Sequence, residues 1–209
     1  AKQMARQGAK IIYTYRNARS KKHLSHLVGS DKPMIPCDVS KDENIKNAFA
    51  KIGQKYGKID GIVHAIAYAD RDTLTSKLVD VKRSGYNLAQ DISAYSFISV
   101  AHYAKPIMNP KGSLITMTYM GATRAIPNYN MMGVAKAALE ASVRYLARDL
   151  GPNEVRVNAI SAGAIKTLSV TGIKHHRDLL KESQARTVDG KSVTLDEIGG
   201  TAAFLMSNL

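Results

Sequence analysis

Tyr129 and Lys136 stand seven positions apart in the segment TYMGATRAIPNYNMMGVAK (118–136). Seven residues at 3.6 per helical turn bring the second side chain back to nearly the same helix face, two turns further along. A lysine ammonium near a phenol favours the phenolate and makes the phenol a better proton donor, and it also hydrogen-bonds ribose hydroxyls. The same pair occurs on helices for structural reasons alone, so its place in the fold decides between a catalytic and a structural interpretation.

Charged side chains follow the first two predicted strands. Arg16 and Arg19 come after the first, where two guanidinium groups near an adenosine ribose can hold a 2′-phosphate; ordinary surface charge is the alternative. Asp38 comes after the second. Its carboxylate can accept a hydrogen bond from an adenine amino group or form an Asx turn before the next helix, and the two roles are compatible.

Two hydrophobic periods alternate along the chain and predict the elements that carry these residues. Alternating strands and helices indicate an α/β fold, a Rossmann-like doubly wound parallel sheet in a single domain, in which ligands bind beyond the carboxyl ends of the strands. The predicted strands are 10–15, 33–37, 61–66, 113–118 and 155–160. The predicted helices are 18–28, 42–56, 84–105, 129–149 and 195–207.

Length and composition favour one globular domain over 1–209. The chain has 209 residues, of which 44% are hydrophobic and 22% charged, and these values exclude a disordered, collagen-like or disulfide-dense protein. Apolar stretches such as Gly61–Ala69 are too short to cross a bilayer, so no membrane association is predicted. The single cysteine, Cys37, cannot form an internal disulfide, which favours a reducing, cytoplasmic compartment. The histidines lack metal-ligand spacing, so no metal site is predicted.

The net charge of +13 indicates an anionic partner or a solvated basic face. Nucleic acid, a phosphorylated cofactor, an acidic protein and anionic lipid all fit this charge. No nucleic-acid-binding motif is present and aromatic residues are not interleaved with the basic runs, so no nucleic-acid partner is predicted. A non-catalytic nucleotide-binding module remains an alternative from a different functional class.

The sequence resembles the enoyl-acyl-carrier-protein reductases of bacterial type II fatty-acid synthesis, a branch of the short-chain dehydrogenase/reductase superfamily. Ordinary members of the superfamily place the lysine four residues after the tyrosine. Here Gly133 occupies that position and the lysine comes three residues later, which is specific to the enoyl reductase branch. The resemblance runs from residue 1 to 209 and is carried by DISAYSF (91–97), RAIPNYNMMGVAKAALEASVRYLA (124–147), VRVNAISAGAIKTL (155–168) and the spacing from Tyr119 to Tyr129 to Lys136.

The resemblance implies hydride transfer from NADPH or NADH to the β-carbon of a trans-2-enoyl thioester carried by acyl carrier protein. Tyr129 resembles the catalytic tyrosine that hydrogen-bonds the thioester carbonyl, and Tyr119 resembles a second active-site tyrosine. Lys136 looks like the lysine that binds the nicotinamide ribose and lowers the pKa of the phenol. Ala69 resembles a backbone contact to the substrate. The implied cofactor contacts are Arg16, Asp38, Val39, Ile66, Lys136, Ile165, Lys166, Thr167, Leu168 and Ser169.

NADPH is the favoured cofactor, with NADH also accepted, because Arg16, Arg19 and Ser20 offer donors to a 2′-phosphate and no acidic residue stands over 15–20. The resemblance also implies a homotetramer, and the nearest alternative activity is that of a carbonyl (3-oxoacyl) reductase of the same superfamily. Four methionines can line an acyl pocket or simply pack in the core: Met117, Met120, Met131 and Met132.

Two expectations concern segments rather than single residues. The family's glycine-rich pyrophosphate turn would precede Ala1 and one more strand would follow the last helix, so we expect a fragment that lacks its first and last strands. The segment 165–186 has no regular apolar pattern, since glycines and a Lys/His run interrupt it. It is predicted to be a mobile loop that covers the substrate.

Overall fold

The computed structural model describes residues 1–165 and 176–208. Strands and helices alternate within these ranges, as the patterning predicts. The strands are β1 (Tyr13–Tyr15), β2 (Met34–Pro36), β3 (Ile59–His64), β4 (Met108–Thr118) and β5 (Arg156–Ser161). The helices are α1 (Lys2–Arg6), α2 (Ala18–Val28), α3 (Asp42–Tyr56), α4 (Arg71–Thr75), α5 (Arg83–Gln90), α6 (Ser96–Ala104), α7 (Asn130–Leu150), α8 (His176–Ala185) and α9 (Leu195–Met206).

All strand pairs in the described part of the chain are parallel, which confirms the predicted sheet type. The described strands form two hydrogen-bonded sheets: β1 pairs with β2, and β4 lies between β3 and β5. Hydrophobic periodicity predicts strands but carries no information about which strand edges meet.

One hydrophobic core joins the two sheets into a single Rossmann-like domain. Its largest cluster includes Cys37 after β2, Phe49 on α3, Phe97 on α6, Leu114 on β4 and Leu139 on α7. Burying apolar surface on both faces of parallel strands is what permits their nearly continuous apolar sequences. Cys37 is a free, buried thiol that packs as a small apolar residue in this core.

The long helix predicted at 84–105 is a continuous helical segment with a change of period at its centre. A π-type turn, Asp91–Tyr95, connects α5 to α6. Such turns are uncommon and frequently stand at functional sites, because the extra residue per turn changes the direction of the side chains. The periodic pattern predicts the helix but not this insertion.

β4 begins earlier than the strand predicted at 113–118, and residues 109–112 form an irregularity inside it. Ile59 is registered with Met108, and Gly61 with Ser113, so β4 holds extra residues opposite this part of β3. Lys111, in the middle of the irregularity, has φ of 61°, in the left-handed region. The turn residues therefore interrupt the register without ending the strand.

Candidate functional site

The proposed site residues are found near the carboxyl ends of five strands. Tyr119 directly follows β4, where it begins a short 3-10 turn, Met120–Ala122, that leads towards α7. The corresponding residues at the other strand ends are Arg16 after β1, Asp38 and Val39 after β2, Ile66 after β3 and Ile165 after β5. Lys166, Thr167, Leu168 and Ser169 lie outside the described residues, as does the first part of the predicted loop over 165–186. α8 occupies the next part of that loop.

Tyr129 and Tyr119 lie side by side at the amino end of α7. Their ring centroids are 5.0 Å apart with an angle of 68° between the ring planes, an edge-to-face arrangement that aromatic pairs favour. Tyr129 is the N-cap residue of α7 and is only 9% exposed. Met132 packs with Tyr129 in a small apolar cluster, which Ala69 and Ile126 border. This cluster forms an apolar wall beside the phenol, next to the residue predicted to contact the substrate.

Burial raises the pKa of the Tyr129 phenol, and the neighbouring Tyr119 raises it further. Burial also raises the pKa of Tyr119, where Arg186 opposes the shift and Glu182 of α8 adds to it. The Tyr129 shift runs opposite to the lowering expected from Lys136, and its causes are burial and Tyr119. Both phenols are therefore neutral hydrogen-bond donors at neutral pH.

Lys136 is buried between α7 and the carboxyl end of β4. Its side chain is 6% exposed and its Nζ donates a hydrogen bond to the carbonyl oxygen of Met117 at 2.6 Å. Burial lowers the pKa of the ammonium to about 8, and the carboxylate of Glu140 opposes this shift. The lysine thus has a backbone acceptor and an anionic neighbour, which are what a buried ammonium requires.

His64 is a buried residue close to Lys136, and the sequence did not indicate that it would lie beside the site. It ends β3, and its ring nitrogens lie 3.1 Å from Thr116 Oγ1 and 2.8 Å from Ser96 Oγ. Burial lowers its pKa to about 4, and the Lys136 ammonium contributes to the shift. The available signal was a single polar residue inside the apolar run GIVHAIA (61–67).

The π-type turn holds the loop that follows β3. Ser93 Oγ accepts a hydrogen bond from the Tyr68 backbone N–H at 2.9 Å and donates one to the Tyr68 carbonyl at 2.8 Å. One side chain therefore satisfies both backbone groups of Tyr68, next to Ala69, and ties this loop to the helical segment. In the sequence, DISAYSF (91–97) carries a family resemblance, but nothing in it predicts this contact.

On the predicted adenosine side, Asp38 forms the expected Asx turn. Its Oδ1 accepts hydrogen bonds from the backbone N–H and the hydroxyl of Ser40, at 3.1 and 2.8 Å. Arg16 is exposed directly after β1. Ser20, expected to donate to a phosphate, instead shares a capping box with Asn17 at the start of α2, and its hydroxyl donates to the Asn17 carbonyl. Arg16 and Arg19, both exposed, remain as the basic donors there.

The four methionines separate into different environments. Met132 joins the Tyr129 cluster, whereas Met131 is completely buried in the interior. Met117 packs against a second core cluster, beneath α9. Met120 lies in the 3-10 turn between β4 and α7 and is partly buried. Met132 is therefore the one that these contacts place beside the phenol.

Two kinds of feature are absent from the described residues. No helix in 1–165 or 176–208 is long and apolar enough to cross a membrane. Within the same ranges, no group of three or more His, Cys, Asp or Glu residues is arranged to hold a metal ion.

Comparison with known proteins places this geometry among the enoyl reductases. The family model described as Enoyl-(Acyl carrier protein) reductase matches residues 1–209. The enoyl-[acyl-carrier-protein] reductase [NADH] FabI of Enterococcus faecalis is 51% identical over 100% of this chain and 84% of its own length. The [NADPH] FabI of Staphylococcus aureus is 46% identical over 100% of this chain and 83% of its own. The Bacillus cereus enoyl-acyl carrier protein reductase, crystallised with NADP⁺ and indole naphthyridinone, superposes with a TM-score of 0.95 at 44% identity, covering 99% of this chain and 82% of that one.

Proposed function

The chain belongs to the enoyl-(acyl carrier protein) reductase family, and from that premise we propose how its residues carry out the reaction. The protein is an oxidoreductase that reduces the trans-2 double bond of enoyl thioesters on acyl carrier protein with NAD(P)H, a step of fatty-acid elongation. The family match does not favour the 3-oxoacyl reductase or the non-catalytic module considered above.

The residues at the strand ends suit a nicotinamide dinucleotide. An exposed guanidinium, Arg16, follows β1, and the Asp38 carboxylate is only partly buried after β2. Lys136 supplies a buried ammonium near the end of β4. A dinucleotide bound along the carboxyl ends of parallel strands offers a phosphate to Arg16, an adenine amino group to Asp38 and ribose hydroxyls to Lys136. When bound, the reduced nicotinamide supplies the hydride; the protein supplies orientation and electrostatics.

Tyr129 is proposed to stabilise the charge that develops on the thioester oxygen. Hydride addition to the β-carbon places negative charge on that oxygen as an enolate, and a fixed hydrogen-bond donor lowers the energy of this state. The raised pKa keeps the phenol protonated and therefore a donor. Tyr119 packs edge-to-face on Tyr129 and restricts its ring. The buried Tyr129 phenol at the start of α7, packed edge-to-face on the partly buried Tyr119, is the observation that carries the proposal.

Lys136 is proposed to orient the cofactor by donating hydrogen bonds to the nicotinamide ribose. Its Nζ already donates one hydrogen bond to Met117, which fixes the direction of the side chain. An ammonium has three donors, so two remain for ribose hydroxyls. The remaining proposed contacts are those of the sequence analysis: Val39 and Ile66 with adenine, the loop from Ile165 with the nicotinamide, and the backbone of Ala69 with the substrate.

Substrate choice tests the activity directly. Crotonyl and acetoacetyl thioesters are offered in separate assays, and cofactor oxidation is followed by absorbance. We expect turnover with the crotonyl thioester and little or none with the acetoacetyl thioester. Preferential oxidation with the acetoacetyl thioester would support the carbonyl reductase instead, and no oxidation with either would argue against a reductase.

For the cofactor we propose a preference for NADPH, with NADH also used. The support is the exposed Arg16 after β1, an ion-pair partner for a 2′-phosphate. Relatives of similar identity are named for each cofactor, so the family alone leaves the choice open. We expect Arg16→Gln to lower the NADPH to NADH ratio of kcat/KM by about tenfold, as one such ion pair allows.

The matched control is Arg148→Gln, which removes an exposed guanidinium near the far end of α7 and should leave the ratio unchanged. A wild-type protein that prefers NADH, with a ratio unaffected by Arg16→Gln, would overturn the assignment of Arg16 to the phosphate.

We further propose a homotetramer in the cytoplasm. Exposed apolar side chains that include Tyr95, Ile98 and Tyr145 lie on the helical segment around α6 and on α7, and burial between copies would remove them from water. Light scattering measures the mass of the assembly, and a monomer at micromolar concentration would refute the tetramer. The cytoplasmic assignment rests on the lone free cysteine, which a reducing compartment suits.

A further inference from the structure

Two hydrogen bonds attach two adjacent residues at the end of β4 to two successive turns of α7. Lys136 Nζ donates to the Met117 carbonyl at 2.6 Å, and Thr118 Oγ1 donates to Glu140 Oε1 at 2.7 Å. Lys136 and Glu140 are four residues apart and therefore lie on one face of the helix. The bonds run in opposite directions, from helix to strand and from strand to helix, so they fix both the height and the rotation of α7 at this point.

The electrostatics of this arrangement centre on the buried lysine. An ammonium taken out of water loses hydration, and it stays charged only if nearby groups replace that stabilisation. Burial has already brought the pKa of Lys136 down to about 8, close to neutrality, and Glu140 is the charged group that opposes the fall. Glu140 is only partly buried and keeps some contact with water.

The other titratable neighbour in the described part of the chain is His64, on β3. Its ring is hydrogen-bonded to Thr116 on β4 and to Ser96 on α6. His64 has a pKa of about 4 and is neutral throughout the range in which Lys136 titrates. His64 therefore adds no charge there, which leaves Glu140 as the group that acts on the protonation of the lysine.

We propose that Glu140 is a positioning residue for Lys136: its carboxylate keeps the buried ammonium charged and, through Thr118, holds α7 against the carboxyl end of β4. The consequence for the reaction rests on the proposed role of Lys136 towards the ribose. A neutral lysine is a weaker donor to ribose hydroxyls, so the loss of Glu140 weakens cofactor binding at mildly basic pH and has little effect at mildly acidic pH.

Three variants separate the contributions. Glu140→Gln removes the charge but keeps an oxygen that accepts from Thr118, and Thr118→Val removes the hydroxyl but keeps the charge. Asp149→Asn is the matched control, because it makes the same charge change at an exposed position on the same helix. The first measurement is an NMR titration of the lysine ¹³Cε signals in the cofactor-free protein, with the Lys136 signal assigned by its loss in Lys136→Met.

We expect the Lys136 midpoint to fall by about one pH unit in Glu140→Gln, the lower end of the effect of a nearby opposite charge. The midpoint should return towards the wild-type value in Glu140→Asp and stay unchanged in Asp149→Asn. Thr118→Val should shift it less than Glu140→Gln does. An unchanged midpoint in a folded Glu140→Gln protein would overturn the proposal. If Glu140→Gln does not fold, Glu140→Ala takes its place, because alanine also removes the charge and favours a helix, and an unchanged midpoint in that variant would overturn the proposal.

The second measurement is the dissociation constant of the reduced cofactor against pH. At a pH near 8, a one-unit fall in the midpoint lowers the charged fraction from about one half to about one tenth, so binding should weaken about fivefold in Glu140→Gln. A shifted NMR midpoint with unchanged cofactor affinity would support the role of Glu140 towards Lys136 and refute the proposed ribose contact. The failure of the proposal and the failure of the proposed function are thus distinguishable.

Discussion

For individual residues, burial decides what each side chain can do as an acid. The phenol of Tyr129 has a raised pKa because it is buried beside Tyr119, so it is a poor source of phenolate at neutral pH. A neutral phenol remains a good hydrogen-bond donor, which suits the proposed stabilisation of the developing enolate. Lys136 is proposed to act through the cofactor, and the Glu140 carboxylate is the charged group that opposes the fall of its pKa.

We expect Tyr129→Phe to lower kcat by about 10²-fold or more, as the loss of one oxyanion donor does, while the cofactor dissociation constant changes by less than about twofold. The measurements are steady-state turnover of a crotonyl thioester and a cofactor titration. Tyr56→Phe is the control, since Tyr56 is the exposed last residue of α3. Full turnover in Tyr129→Phe would show that another group carries the charge.

His64 makes stability depend on pH. Its pKa of about 4 in the folded protein lies below the ordinary value of 6.5, so between these values the unfolded chain binds more protons. Stability from this group is therefore complete above about pH 6.5 and is lost as the pH falls towards 4. We expect the free energy of unfolding to drop by about 2 kcal/mol between about pH 7 and pH 5 on account of His64.

Urea unfolding at the two pH values, on wild type and His64→Gln, measures this term. Between these two pH values, the free energy of unfolding should fall by about 2 kcal/mol less in His64→Gln than in the wild type, because glutamine does not titrate. Equal losses in both proteins would mean that the histidine ring is accessible to protons in the folded state.

Among the secondary-structure elements, two glycines set the approach of the 3-10 turn Met120–Ala122 to α7. A Cβ on Gly121 would clash with the ring carbons of Tyr129, and a Cβ on Gly133 would lie 2.7 Å from the Gly121 carbonyl oxygen. The position where ordinary superfamily members carry their lysine is therefore occupied here by a residue small enough for this contact. The close approach of the turn to α7 requires glycine at position 133, and the lysine stands three residues later, at 136.

We expect Gly121→Ala to displace the Tyr129 ring and to lower kcat by about tenfold or more, because small misplacement of a catalytic group is costly. Cofactor affinity should change little, since Lys136 lies two turns further along α7. Gly151→Ala is the control: no heavy atom lies within 4 Å of its added Cβ. If Gly121→Ala had wild-type kcat, the turn would be free to move away from α7.

The π-type turn Asp91–Tyr95 shows how an element is altered to hold a loop. In a regular α-helix the backbone hydrogen bonds join residues four apart, and a π-type turn adds one residue to that period. Here Ser93, within that turn, bonds both backbone groups of Tyr68. Ser93 thereby holds the loop that carries Ala69. Ala69 itself packs against the apolar cluster of Tyr129 and Met132.

In the whole molecule, the net charge of +13 favours encounter with an anionic partner, and we expect the acyl carrier protein to offer an acidic surface to it. We expect kcat/KM for an enoyl thioester on acyl carrier protein to fall several-fold as salt rises from about 50 to about 500 mM, because the Debye length shortens. An uncharged enoyl N-acetylcysteamine thioester is the control and should show no such fall. Equal salt dependence for the two substrates would show that salt acts on cofactor binding or on folding, and not on the encounter with the carrier protein.

Much of the architecture could be predicted from the order of residues. α2 and α3 begin and end where their periodicity predicts, at Ala18–Val28 and Asp42–Tyr56, since amphipathic patterns are local and strong there. Parallel strands followed from the alternation of strands with helices. The tyrosines and the lysine could be singled out because their types, their spacing and the text around them are visible without coordinates.

Tertiary structure alone decided the environment of these groups. The pKa of Tyr129 depends on burial and on a ring 5.0 Å away, and neither is a property of the spacing between Tyr129 and Lys136. Lys136 found its partners in Met117 and Glu140 because α7 packs on the end of β4. His64 contacts Ser96, which is 32 residues away in sequence, because β3 and α6 pack together in the fold. Local sequence determines which side chains a helix or strand presents; the packing of distant segments determines which of them meet and in what state of charge.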